Sequence, residues 1–341
     1  MKPVPNQAPK PLRPEFQSAG KAPVALFDAS HGQPNWAQTG FTSREMHTNF
    51  AGVTEMLCRL GFQCRTTEGE SLVQRLPRAN LLVLPPPTGR YDERRQRWRP
   101  NRSSLFTSQE LSATLSFLQT GGRLLAFAYR FGDSFTQTNL GDLVSLLGCR
   151  LNADAVFDAQ ALPSAHPLEM HFDTPRESLP AGWSAQGVTA LRWRPMATFS
   201  FVPGGEVWPL VFSTGGGCLS FDRALRQISF ERLPIAVAGR HGMGRFALFG
   251  GPHAFEVGSF GLLMTANNQR FLQNVLGWLL SDEPGEEFAP AGPLKNPDAG
   301  YGHELTRLEC RGEGQRTIVS VERVLRRNGV LRALSRAKWM P

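Results

Sequence analysis

An α/β fold, a mainly parallel three-layer sheet carrying a β-rich antiparallel insertion, is what this sequence predicts, and three observations predict it. Short apolar runs alternate with amphipathic stretches of helical period as far as about residue 150. The runs are apolar at consecutive positions, as strands covered on both faces require. From Cys149 to about Phe230 the pattern changes to brief alternating runs, such as VTALRW and FSFVP, broken by Gly and Pro clusters.

The elements follow in chain order. Residues 1–22 hold Pro3, Pro5, Pro9, Pro11 and Pro14 without apolar periodicity, and they read as a disordered or polyproline-like arm. VALFD (Val24 to Asp28) is a buried strand that runs into the loop Ala29, Ser30, His31, Gly32. Thr42 and Glu45 have capping-box spacing, and Met46, Phe50, Val53, Leu57 and Leu60 then recur at helical steps up to Gly61. FQCRT (Phe62 to Thr66) and NLLVLP (Asn80 to Pro85) read as the next two strands.

A second capping box, Thr107 with Glu110, opens a helix carrying Leu111, Leu115 and Leu118. RLLAFAY (Arg123 to Tyr129) is the fourth strand, and Asn139 is a candidate N-cap for the helix of Leu140, Leu143, Val144 and Leu147. Strands alternating with helices of this length predict right-handed crossovers and a parallel sheet. Within the insertion, about residues 150–232, antiparallel hairpins are expected. PIAVAG and RFALFGG then form a hairpin that returns to the main sheet, closed by the helix NNQRFLQNVLGWLL with Phe271, Val275, Trp278 and Leu279 on one face. Residues 282–315, rich in Pro, Gly and acids, read as a linker, and residues 316–341 as a basic amphipathic tail.

Composition bounds the function. The 341 residues include 41% hydrophobic and 19% charged, enough for a sizeable core. No apolar run reaches the ~18 residues of a membrane span, and the first twenty residues lack a signal-peptide core, so a cytoplasmic location is expected. The five cysteines (Cys58, Cys64, Cys149, Cys218, Cys310) have no C-x-x-C spacing and are expected to be free thiols, mostly buried. The net charge of +8 is concentrated at the end of the chain, where residues 316–341 hold seven Arg or Lys against one acid. A second cluster, Arg90 to Arg102, contains Arg94, Arg95, Arg97, Trp98 and Arg99. Together with Arg326, Arg327, Arg332 and Trp339 of the tail, it is a candidate for a protein partner, an anionic ligand or nucleic acid.

Ligands of open α/β sheets sit beyond the carboxyl ends of the strands. That edge is expected to gather Asp28, Ser30, His31, Arg130, Asp133, Asn139 and His253. A histidine beside an acid and an arginine suits anion binding or acid–base work, with His31, Asp133 and His253 as catalytic candidates. The structural alternative is that Asp28 caps its loop while His31 and Arg130 bond turn backbone. The histidines have no metal-ligand spacing. The glycine runs at 215–217 and 239–244 do not lead from a parallel strand into a helix, so neither a metal nor a cofactor is expected.

Four landmarks in order, VALFDASHGQ, GGRLLAFAYRFGDS, TNLGDLVSLLGCRLN, and GMGRFALFGG followed by NNQRFLQNVLGWLL, span roughly residues 23–281. In these the chain resembles the glutamine amidotransferase-like domain of intraflagellar transport proteins and of many bacterial proteins, within the class I glutamine amidotransferase-like superfamily. The resemblance implies a flavodoxin-like sheet. In enzymes of that superfamily a cysteine sits on a strained strand-to-helix turn. The corresponding turn here lies near Tyr129, Arg130, Phe131 and Gly132, and has no Cys or Ser at its apex. The resemblance therefore implies the fold without that chemistry: a pseudoenzyme, acting as a non-catalytic binding or assembly module. The alternatives are a hydrolase or lyase acting on a sugar or small polar substrate through the strand-edge residues, and a nucleic-acid binder using the Arg loop and tail.

Overall fold

The computed structural model describes residues 22–33, 48–67, 71–92, 97–158, 170–172, 183–201, 206–213, 218–222, 227–229, 232–258, 261–265 and 267–281. Its main elements are β1 (Val24–Phe27), α1 (Ala51–Arg59), β2 (Gln63–Thr66), β3 (Leu81–Leu84), α2 (Ser108–Gln119), β4 (Arg123–Phe127), α3 (Leu140–Leu146), β5 (Val207–Phe212), β6 (Pro234–His241), β7 (Gly244–Phe249) and α4 (Asn268–Leu280). They build a seven-stranded sheet in the order β5-β6-β7-β4-β3-β1-β2.

The five strands from β7 to β2 run parallel, and β6 and β5 are antiparallel additions at one edge. β3, β4 and β7 are buried at every position, which is why their sequences are apolar apart from Arg123 and Arg245 near their starts. β2 is an edge strand, and its QCRT alternates exposed and half-buried.

Alternation along the strands separates two cores. Ala25, Phe27, Val83, Leu125, Phe127 and Phe249 pack with Val53, Met56 and Leu57 of α1 and with Phe271, Val275 and Leu279 of α4. Leu26, Leu82, Leu84, Leu124, Ala126 and Leu248 pack with Leu118 of α2 and with Leu140, Leu143 and Val144 of α3. The result is three layers, with each fully buried Leu or Phe contributing about 1.5–3 kcal/mol.

Four expectations change. Thr42 and Glu45 lie outside the described residues, but Thr48–Asn49 pair antiparallel with Val257–Gly258, so the helix begins only at Ala51. Backbone pairing has claimed the residues that the periodicity assigned to its first turns. β5 lies inside the expected insertion but completes the main sheet beside β6. α4 is buried at every residue from Phe271 to Leu280, not on one face. Its outer side is covered by residues 183–193: Trp183 stacks on Trp278 at 5.1 Å, and Asn274 Nδ2 donates to the carbonyls of Ser184 (3.0 Å) and Gln186 (2.8 Å). The cysteines also differ from expectation, since Cys58 is exposed and Cys64 half-buried while Cys149 is buried.

The turn between β6 and β7 is a hairpin. His241 pairs with Gly244 across Gly242, whose φ of +59° suits a residue without Cβ. The glycines at 215–217, the arm, the linker and the tail lie outside the described residues. Among the described residues no helix is long and apolar enough to cross a membrane.

Candidate functional site

β1 delivers Asp28 to the carboxyl edge of the sheet, where its backbone N–H donates to Val83 O of β3 at 2.9 Å. The chain then turns so that Ser30 donates to Asp28 Oδ1 through both Oγ (2.6 Å) and backbone N (3.1 Å). Thr67 Oγ1 donates to the same oxygen at 3.1 Å. On the other oxygen, Gln33 Nε2 donates at 2.9 Å and His31 Nδ1 lies at 2.6 Å. Asp28 and His31 are each only 1% exposed.

His31 Nε2 faces Glu110 Oε2 at 3.4 Å, and Phe106 stacks on the imidazole at 3.9 Å. Glu110 also closes the capping box of α2, accepting from Thr107 N (2.9 Å) and Thr107 Oγ1 (2.8 Å). Burial alone would disfavour the charge on Asp28, but the hydrogen bond and charge of His31 outweigh it and hold the carboxyl below its ordinary value. Burial likewise opposes the imidazolium, yet Asp28 and then Glu110 hold His31 above its ordinary value. This setting favours the charged form of His31, with Nδ1 on Asp28 and Nε2 facing Glu110. It links the β1 loop to the N-terminus of α2.

Asn139 stands at the expected N-cap position of α3, but its side chain supports this cluster from behind instead of capping the helix. Its Oδ1 accepts from Phe106 N at 2.8 Å and its Nδ2 donates to Phe106 O at 3.0 Å, which fixes the ring that covers His31. The carboxylate that accepts the first N–H groups of α3 is that of Asp133: Leu140 N, Gly141 N and Thr138 Oγ1 donate to it at 2.9, 2.7 and 2.9 Å. Burial nevertheless pushes the Asp133 carboxyl up, against the pull of these donors.

Gly32 explains the tightness of the loop. Its φ is +71°, and a Cβ there would lie 2.1 Å from Thr88 O and 2.5 Å from Ser104 Oγ. Gly32→Ala is expected to cost about 1–3 kcal/mol, from overpacking added to a disfavoured φ. A urea-denaturation midpoint matching that of the parent would refute this.

The strand-to-helix turn lies where the resemblance placed it. Phe131 sits at its apex with φ 62° and ψ 12°, a left-handed conformation costly for a large L side chain, and Gly132 follows with φ 51°. The Phe131 ring is buried. Phe131 N donates to Asp154 O at 2.7 Å and Gly132 N to Tyr129 O at 2.8 Å, so these two backbone donors at the apex are bonded within the protein. Ser134 Oγ donates to Phe131 O at 2.7 Å.

After β7, His253 Nδ1 pairs with Glu256 Oε2 at 2.7 Å, and the ring meets Tyr129 edge-on at 5.6 Å. Arg130 lies over Tyr129 (5.6 Å) and Phe135 (5.3 Å). Burial, helped by the charges of Arg194 and Arg130 and opposed by Glu256, pushes His253 below its ordinary value, so its imidazole is neutral near pH 7. His31, Asp133 and His253 each bond a different neighbour and none bonds another of the three.

Glu110 and Glu256 are the partners that sequence reasoning missed. In the sequence Glu110 reads only as a capping residue, and the His-x-x-Glu spacing of GPHAFE is the one available signal for Glu256. Arg97 and Trp98 lie on the strand Arg97–Arg99, which pairs with Arg90–Asp92, and Arg99 is exposed. Arg94, Arg95, Arg326, Arg327, Arg332 and Trp339 lie outside the described residues. Among the described residues no group of His, Cys, Asp and Glu is arranged to hold a metal ion.

The parallel strand order β2-β1-β3-β4-β7, with helices on both faces, defines an α/β protein of the flavodoxin-like type. Among solved structures the chain is similar to the mmIFT52 N-terminal domain, with 20% identity and a TM-score of 0.55 over 75% of this chain and 97% of that one. It is also similar to a ThuA-like protein from Bacteroides uniformis (15% identity, TM-score 0.42, 77% and 94% covered). A third is the cytoplasmic protein STM3548 from Salmonella typhimurium (12% identity, TM-score 0.46, 76% and 99% covered). No protein-family profile matches the chain, and no curated protein matches it significantly. At these identities the likeness is one of fold.

Proposed function

We propose that this protein is a non-catalytic binding or assembly module on an amidotransferase-like fold, engaging a protein partner. The observation that carries the reading is Phe131: at the apex where an amidotransferase would hold its nucleophile stands a buried phenylalanine, and the N–H groups of Phe131 and Gly132 are spent on internal carbonyls. The saturated His31 supports it further. A histidine fixed between Asp28 and Glu110 serves the stability of the edge, not turnover.

The strongly basic stretch from residue 316 onward is the proposed contact, with Trp339 as an anchor and an acidic protein surface as its complement. Affinity purification of the intact chain from its native cell, beside a version ending at Ser281, tests this. A stoichiometric protein that co-purifies with the intact chain and is lost from the shortened one is the expected result. If neither form retains a partner, the assembly reading fails.

A further inference from the structure

Cys58 is the second-last residue of α1 and is exposed; Cys64 lies on the edge strand β2 and is half-buried. Spacing gives no reason to pair them, yet the turn after α1 brings their sulfurs to 3.8 Å. Among the described residues β2 pairs only with β1, so the sulfur-bearing strand has a neighbour on one side alone. From the geometry we propose that Cys58 and Cys64 form an oxidisable dithiol, a modification site at which a hydroperoxide converts the pair into a reversible disulfide clasping α1 to the edge strand.

A disulfide needs the sulfurs to close to about 2.05 Å, a movement that side-chain rotation supplies at an exposed helix end. Burial, and then the neighbouring Cys58, push the Cys64 thiol well up, so Cys64 remains protonated while the accessible Cys58 meets the oxidant first. The Cys58 sulfur attacks a peroxide oxygen and the O–O bond breaks. The other oxygen leaves, protonated, as water or an alcohol, and Cys58 becomes a sulfenic acid, oxidised by two electrons. The Cys64 sulfur then attacks the Cys58 sulfur, and the displaced hydroxide takes up the Cys64 proton and leaves as water. Two thiols and one hydroperoxide therefore give one disulfide, with no further reductant or oxidant. Cys149, which is buried, is the internal control that should not react.

The experiment treats the intact protein with hydrogen peroxide, blocks remaining thiols, and maps tryptic peptides without reductant. Cleavage after Arg59 places Cys58 in the peptide of residues 45–59 and Cys64 in that of residues 60–65, so only a disulfide keeps them together. The expected result is the linked pair, lighter by two hydrogens and separated again by dithiothreitol. In Cys64→Ser the link is lost and Cys58 is trapped as a sulfenic acid by a dione reagent; in Cys58→Ser the link is lost and Cys64 stays a thiol. Oxidation of the two cysteines without the linked peptide, or links that run instead to Cys149, Cys218 or Cys310, would overturn the proposal. Because the linked peptide is read on the parent protein, a variant that misfolds leaves the test intact.

Discussion

Asp28→Asn is expected to destabilise the protein by about 3–5 kcal/mol, the cost of leaving one member of a buried ion pair without its partner. Asp28 accepts from Ser30, Thr67 and Gln33 as well as His31, so the substitution also turns one acceptor into a donor facing donors. Its signature is in the pH dependence. His31 has a folded-state pKa raised above its ordinary 6.5, so its contribution is complete below 6.5 and is lost as pH rises through the raised value. Asp28 is lowered below its ordinary 3.8, so its contribution is complete above 3.8 and is lost as pH falls through the lowered value. The pair therefore stabilises most between these two ordinary values. Denaturation midpoints measured across that window should show the largest gap between parent and variant there, narrowing on the alkaline side. A gap that does not change with pH would mean that His31 is not held as a cation.

Trp193→Ala is the second large effect, at about 3–5 kcal/mol. Trp193 belongs to the short strand Leu191–Trp193, within the stretch expected to be an insertion, yet it is fully buried against Phe249 (6.0 Å), Phe255 (5.6 Å) and Phe271 (6.1 Å) of the main body. Removing the indole opens a cavity where β7 and α4 meet. Since Trp193 ties this stretch to both, the variant should still unfold in a single transition, shifted to lower denaturant with an unchanged slope. Two separate transitions would show instead that residues 183–201 form a unit of their own.

The layered sheet was legible because its causes are local. The continuous apolar runs LLVL and LLAF mark strands covered on both faces, and the box of Thr107 with Glu110 fixes the start of α2. Where periodicity misleads, a distant segment has intervened. Thr48–Asn49 look helical in isolation but are held extended by Val257–Gly258, and α4 looks amphipathic but is enclosed because Trp183, Ser184 and Gln186 reach its outer side.

The candidate site divides in the same way. By itself the sequence determined which residues stand after β1, β4 and β7, and that the turn at Phe131 has no nucleophile, since both follow from the order of short-range elements. Only the tertiary structure decided the partners: Glu110 for His31, Glu256 for His253, the α3 backbone for Asp133, and Phe106 for Asn139. The physical reason is range. Strand and helix periodicities are set by neighbours within a few residues, whereas the charge and reach of a buried side chain depend on which polar groups the folded chain brings to within about 3 Å of it.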